Sequence, residues 1–183
     1  MYTGSNPSAL RSKKWLSQAF LELLKTKNYS KISVKDICTQ ADLSRQTFYQ
    51  IFSSKEEIME YHFSVLFEEF THRCSQYPTL TISDISYCFF QFFFEHKVFT
   101  EIIIQNHLTS FLEQQFEHYI RHIELFQYYS KKEEHTDYTA AFLSGALTQL
   151  LVHWFRNDFD LSIDTISSVA FTLLTGYVFQ REN

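Results

Sequence analysis

The side chains with the clearest capacity for chemistry lie in one short stretch, Arg45-Gln46-Thr47-Phe48-Tyr49-Gln50-Ile51-Phe52. Helical spacing sends Phe48, Ile51 and Phe52 to one side and Arg45, Gln46, Tyr49 and Gln50 to the other. Arginine offers paired donors that fit guanine, and a glutamine amide fits adenine. A polar face of about two turns on such a rod suits a DNA major groove. Catalytic sets are missing by contrast. No Gly-rich phosphate loop, Ser-His-Asp arrangement or metal signature occurs, and the sequence implies no cofactor. His118 and His122 stand at i, i+4 and could chelate a metal, but no clear third ligand accompanies them. A helical metal-dependent enzyme is the alternative they leave open, and it needs convergent titratable groups. Cys38, Cys74 and Cys88 form no CxxC pair and are odd in number, which favours reduced thiols over a disulfide framework.

The elements that must hold the polar face can be read outward from it. A first helix is predicted from about Ser8 to Thr26, with Leu16, Ala19, Phe20, Leu23 and Leu24 as its buried stripe. A second begins at Ser33 and ends near Gln40. Ser33 and Asp36 stand at capping-box spacing, and Ile32 and Ile37 at the positions of a hydrophobic staple. Asp42 occupies a tight turn that calls for a positive φ. Ser44 then caps the third helix, which carries Arg45 to Phe52. A fourth starts at Ser53 or Ser54 and puts Lys55 in its first turn. A cation there opposes the helix dipole unless a phosphate lies beside it.

Bulk properties agree with this reading. With three Gly and two Pro in 183 residues, the chain lacks the turn residues of an all-β fold and reads as long helices. The overall charge is −5, but residues 1–55 hold nine Lys/Arg against three acids, a net +6 that leaves −11 for the rest. A basic head on an acidic body presents one face to a polyanion. No apolar signal segment or membrane-length run is visible, so a soluble, cytoplasmic protein is expected.

The stretch from Ile32 to Met59, ISVKDICTQADLSRQTFYQIFSSKEEIM, resembles the DNA-binding domain of the tetracycline-repressor (TetR) family. The shared features are the Ser-Val-Lys-Asp-Ile start, the Ala-x-Leu-Ser turn, the Thr-Phe-Tyr-x-x-Phe helix and the Ser-Lys-Glu-Glu-Ile helix start. The resemblance covers about Leu10 to Tyr61 and departs at Asp42, where the family usually has Gly. It implies an all-α protein of about nine helices. A three-helix helix-turn-helix domain would span 1–54, and a helical regulatory and dimerisation domain 55–183. It implies that Arg45, Gln46 and Thr47 read base edges, with Lys35 adding a base or phosphate contact. Ser33, Ser44, Tyr49 and Lys55 would hold phosphates of a double-stranded operator. Taken as residues alone, Lys13 and Lys35 could equally be solvated lysines, and Thr47 could serve the helix start.

Beyond Ser54 the pattern is helix after helix, at about Ile82–His96, Phe99–Gln105, Leu108–Tyr129, Asp137–Arg156 and Ile163–Gln180. The last two carry wide apolar surfaces. One has Leu143, Leu147, Leu150, Leu151, Trp154 and Phe155; the other runs from Ile163 through Ile166, Ala170, Leu173 and Leu174 to Tyr177, Val178 and Phe179. A central core would explain them, and so would a homodimer interface of two helices per subunit, which the family implies. The aromatic run Tyr87 to Phe94 offers Phe90, Phe93 and Phe94 as lining for a small apolar or aromatic effector, with Gln105, His107 and His153 as polar groups. The same run could simply fill a core. Repression is what the family implies by default. Trp154-Phe155 followed by Asp164-Thr165-Ile166 resembles a subgroup that includes activators of dihydroxyacetone-kinase operons, which would respond to a protein partner.

Overall fold

The computed structural model describes residues 4, 6–121 and 133–176. Among them are nine α-helices, one 3-10 turn and no strand. The helices are α1 (Pro7–Leu24), α2 (Val34–Ala41), α3 (Arg45–Ile51), α4 (Lys55–Cys74), α5 (Ile82–Glu95), α6 (Lys97–Gln105), α7 (Thr109–Ile120), α8 (Glu133–Arg156) and α9 (Ile163–Thr175), with the 3-10 turn at Tyr29–Lys31. The chain divides into two compact units, Met1–Glu68 and Glu69–Asn183. The edge expected at 54/55 stands at the start of α4, whereas the boundary between the two units, at 68/69, falls inside that helix. The early turns of that helix bury Ile58, Met59, Phe63 and Leu66 and are counted with the first unit.

Local chemistry sets each helix of the first unit. Asn6 caps α1 by accepting from the Ser8 amide at 2.9 Å, and Pro7 opens it, where no N–H is needed. The capping box of α2 is complete. Ser33 Oγ accepts from Asp36 N at 3.2 Å, and Asp36 Oδ2 accepts from Ser33 N at 2.8 Å. Asp42 ends α2 in the left-handed region, at φ 51° and ψ 44°. Ser44 Oγ accepts from Thr47 N at 3.0 Å and starts α3. Leu16, Phe20, Ile37, Phe48, Phe52 and Ile58 fill the core. Each such side chain contributes about 1.5–3 kcal/mol by leaving water.

In the second unit α5 packs on α9, and α7 on α8. Its centre is aromatic: Phe90 meets Trp154 edge-on with ring centroids 5.6 Å apart, and Phe89 and Phe93 both meet Phe116. Helix α9 begins at the Ser162 cap and stops at Gly176, whose φ of 75° suits glycine and halts the helix short of the expected Gln180. Tyr177, Val178 and Phe179 lie outside the described residues, as do His122 and the expected extension of α7 to Tyr129. No helix among the described residues is long and apolar enough to cross a membrane.

Candidate nucleic-acid interface

Helix α3 is held from beneath and left open above. Phe48 and Ile51 are buried, whereas Arg45, Gln46, Tyr49 and Gln50 are exposed. The Tyr49 ring stands edge-on to Phe48 at 5.3 Å and remains 54% exposed, so packing fixes its base and leaves its hydroxyl in solvent. Thr47 is half-buried and its hydroxyl lies 2.9 Å from Ser44 Oγ. It serves the helix start, as its chemistry alone suggested. Lys35, Ser44 and Arg45 line one open cleft of about 470 Å³ with Thr39, Asp42 and Leu43, so the structure brings three of the expected contact residues together. Cys38 lies at the cleft floor. Burial pushes its thiol pKa up, and the Arg45 charge opposes that shift only in part.

Two lysines differ from the sequence expectation. Lys13 is not solvated: it is 8% exposed, with its ammonium 4.2 Å from the centre of the Tyr61 ring. Burial lowers its pKa, against the opposing pull of Glu68. Lys55, expected at a phosphate, points into its own fold. Its Nζ donates to the carbonyls of Tyr29 at 2.8 Å and Ile32 at 3.1 Å, and sits 4.2 Å over the Tyr29 ring. The Tyr29 hydroxyl in turn donates to Glu56 Oε1 at 2.6 Å. Burial and that bond push the tyrosine pKa up. These contacts bind the start of α4 to the segment that leads into Ser33. No local sequence signal reveals them, because the partners stand 23 and 26 residues apart. The dipole penalty at Lys55 is offset by carbonyls in place of a phosphate.

The effector candidates do not converge. Phe90 and Phe93 are packed into the aromatic core, at 0% and 4% exposure. Phe94 lies at the edge, against Trp154 and Phe159. Gln105 is exposed and donates to Glu101 at 2.8 Å, and His107 is an exposed residue at φ 57°. His153 lines a different feature, an open groove of about 410 Å³ between α8 and α9 with Phe142, Ala146, Gln149, Leu150, Leu173 and Leu174. Among the described residues no three His, Cys, Asp or Glu stand where they could hold a metal.

The family model of bacterial regulatory proteins of the tetR family matches residues 18–61. A transcriptional regulator C-terminal region model matches residues 80–176, more than half of the chain. The chain belongs to the TetR family. It is a DNA-binding transcriptional regulator with an N-terminal helix-turn-helix and a helical C-terminal domain. The dhaKLM operon transcriptional activator DhaS of Lactococcus lactis subsp. lactis (strain IL1403) is 36% identical over 66 residues, which is 36% of this chain and 35% of that protein. The match spans about a third of that curated relative. Among solved structures, Lin0861 from Listeria innocua superposes with a TM-score of 0.79 at 15% identity, over 98% of this chain and 97% of the other. A TetR transcriptional regulator from Streptococcus agalactiae 2603V gives 0.64 at 19% identity, over 91% and 94%. At such identities the likeness concerns the TetR fold alone.

Proposed function

We propose that this TetR-family regulator reads an operator with Arg45 and Gln46 of α3, places Tyr49 and Lys35 against phosphates, and binds as a homodimer paired through α8 and α9. The single observation that carries the reading is the amphipathic seating of α3: its phenylalanine and isoleucine are buried while arginine, glutamine and tyrosine face solvent. Ser33 and Ser44 cap the starts of α2 and α3, where the N–H groups of the first turn would donate to a nearby phosphate. Thr47 and Lys55 position the reading helix. A signal at the second unit changes operator affinity only by its differential binding to the two states. Repression is the function proposed. Activation is the second reading, favoured by the activator among its relatives.

Fluorescence anisotropy with DNA from upstream of the protein's own gene tests the core of this reading. Tight, sequence-selective binding is expected, and Arg45→Ala or Gln46→Ala should relax preference at particular base pairs. Equal loss on every sequence would contradict their role as base readers. Transcription from the same DNA with purified polymerase then separates the two signs: a fall on adding protein supports repression, and a rise supports activation.

A further inference from the structure

We propose that the exposed face of α1 is a docking surface for α1 of a second copy of this chain, joining the helix-turn-helix units of neighbouring dimers on adjacent operators. Leu16, Phe20 and Leu24 turn one side of α1 into the core of its unit. Arg11, Trp15, Gln18 and Glu22 lie on the opposite side and are exposed, and Trp15 keeps half of its surface in solvent. Their steps of four, three and four residues are those of a coiled-coil seam. Beside Trp15 runs an open groove of about 430 Å³, bordered across from α1 by Gln40, Ala41 and Asp42 at the end of α2. Of the three acids among residues 1–55, Asp36 closes the capping box of α2, and the other two, Glu22 and Asp42, both line this groove. Two carboxylates repel phosphate, so the groove suits a cationic protein surface and not DNA. Arg45, Gln46 and Tyr49 are not among its lining residues, and a copy docked there leaves the reading face of α3 unoccupied.

The stripe is complementary to itself. Steps of four, three and four read the same in both directions. A two-fold axis midway along the stripe sets two α1 helices antiparallel, with Arg11 of each copy against Glu22 of the other and Trp15 against Gln18. Each copy supplies the cation that the acidic groove of the other calls for, and arginine with carboxylate is a strong, directional pairing. A parallel arrangement sets Arg11 beside Arg11 and Glu22 beside Glu22, and repulsion disfavours it. Glu22 already accepts from Lys25 Nζ through Oε1 at 2.6 Å. That exposed pair contributes little by itself, and a carboxylate accepts several donors, so the second arginine adds to it without displacing it. Tryptophan and arginine are the side chains most often decisive at protein contacts. One face of an 18-residue helix is smaller than the roughly 20–30 residues a side of a stable interface. The contact therefore forms when DNA holds two units side by side at high effective concentration, and its effect is cooperative occupancy of adjacent operators. This consequence rests on the function proposed above.

The test compares full-length protein on DNA carrying one footprinted operator and on DNA carrying two, their spacing stepped one base pair at a time over a helical turn. At the favoured spacing a second dimer should bind tenfold or more tighter than a dimer on the single operator. Independent binding at every spacing overturns the proposal. Trp15→Ala should abolish the gain and leave single-operator affinity within twofold of the wild type. Cooperativity that survives Trp15→Ala, or an equal loss on the single operator that assigns the face to DNA, overturns it as well. Arg11→Glu and Glu22→Arg should each abolish the gain, and the double variant should restore it, because the exchange re-forms the same pairs across the two-fold axis. Taking the ratio of two-operator to one-operator affinity cancels the effect of altered net charge on DNA binding. A double variant no more cooperative than the single ones overturns the pairing and points to a different protein as the occupant. A wild type that binds no operator counts against the proposed function, and sedimentation equilibrium of the free protein at millimolar concentration then decides the contact. Association abolished by Trp15→Ala supports it, and no association of the wild type beyond its micromolar state overturns it.

Discussion

Lys35 and Lys55 carry the same charge and should behave differently toward DNA. Lys35 is exposed beside Arg45 at the mouth of the cleft, free to exchange counterions for a phosphate. Lys55 has spent two of its three N–H donors on carbonyls. Lys35→Ala should lower the slope of log affinity against log salt by about 1. Lys55→Ala should leave that slope unchanged while lowering stability by about 1–3 kcal/mol, since two carbonyls lose a charged donor. Denaturant titration and binding across a salt series check both. A steep loss of slope in Lys55→Ala would return that residue to the phosphate. Asp42 is a second instructive position. Its left-handed φ of 51° is one that an L residue reaches at a cost of about 1 kcal/mol and glycine at almost none. Asp42→Gly should raise the melting temperature by a few degrees, offset in part by the freer unfolded chain. A lower melting temperature would show that the aspartate side chain contributes more than its backbone costs.

At the scale of the element, α2 depends on its first turn. Asp36 closes the capping box with Ser33 and also accepts from Lys27 Nζ at 2.9 Å. The Lys27 bond first, then those of Ser33, holds its carboxyl well below the usual carboxylate range. A folded-state pKa below the unfolded one means that the stabilisation is fully present above about pH 4 and is lost as pH falls through the folded value. Acid melts of the wild type and Asp36→Asn should therefore converge below that point and differ above it. A constant gap at every pH would assign the effect to something other than the charge. Ser33→Ala should cost about 1 kcal/mol. Elements of this kind were legible in the sequence because their causes are local: the Ser33–Asp36 spacing, the Ser44 cap, the Asp42 turn and the buried stripe around Phe48 all formed as read. What escaped had distant causes. Arg11, Lys13 and Lys14 look alike in sequence, and only the fold lays Tyr61 under one of them. The run Tyr87 to Phe94 suggested a lining, yet Phe90 and Phe93 found ring partners on α7 and α8, among them Phe116 and Trp154. The last helix was read past Gly176, because an apolar stripe does not reveal where the backbone turns left-handed.

At the scale of the whole molecule, one recognition helix reads only half of a symmetric operator. Two copies on a two-fold axis engage both halves, with half-sites about one helical turn of DNA, roughly 34–36 Å, apart. Helices α8 and α9 carry the surface proposed for that pairing. Phe142 is 67% exposed, Tyr138 79% and Leu173 39%, and Phe142 and Leu173 border the groove that also contains Leu150 and Leu174. It is the contiguity of Phe142, Leu150, Leu173 and Leu174 along one groove that marks an interaction surface. Burying one phenylalanine of this size from each copy contributes about 1.5–3 kcal/mol per side chain. Phe142→Asp reverses the sign of that contribution, since an unpaired carboxylate would have to leave water. The variant should run as a monomer in light scattering at concentrations where the wild type is a dimer, keep its helical circular dichroism, and lose tenfold or more in affinity for a two-half-site operator. Its affinity for a single half-site should stay near the wild-type value, because Arg45, Gln46 and Tyr49 belong to the other compact unit. A Phe142→Asp protein that remains dimeric would move the interface elsewhere, and with it the spacing at which the two recognition helices meet DNA.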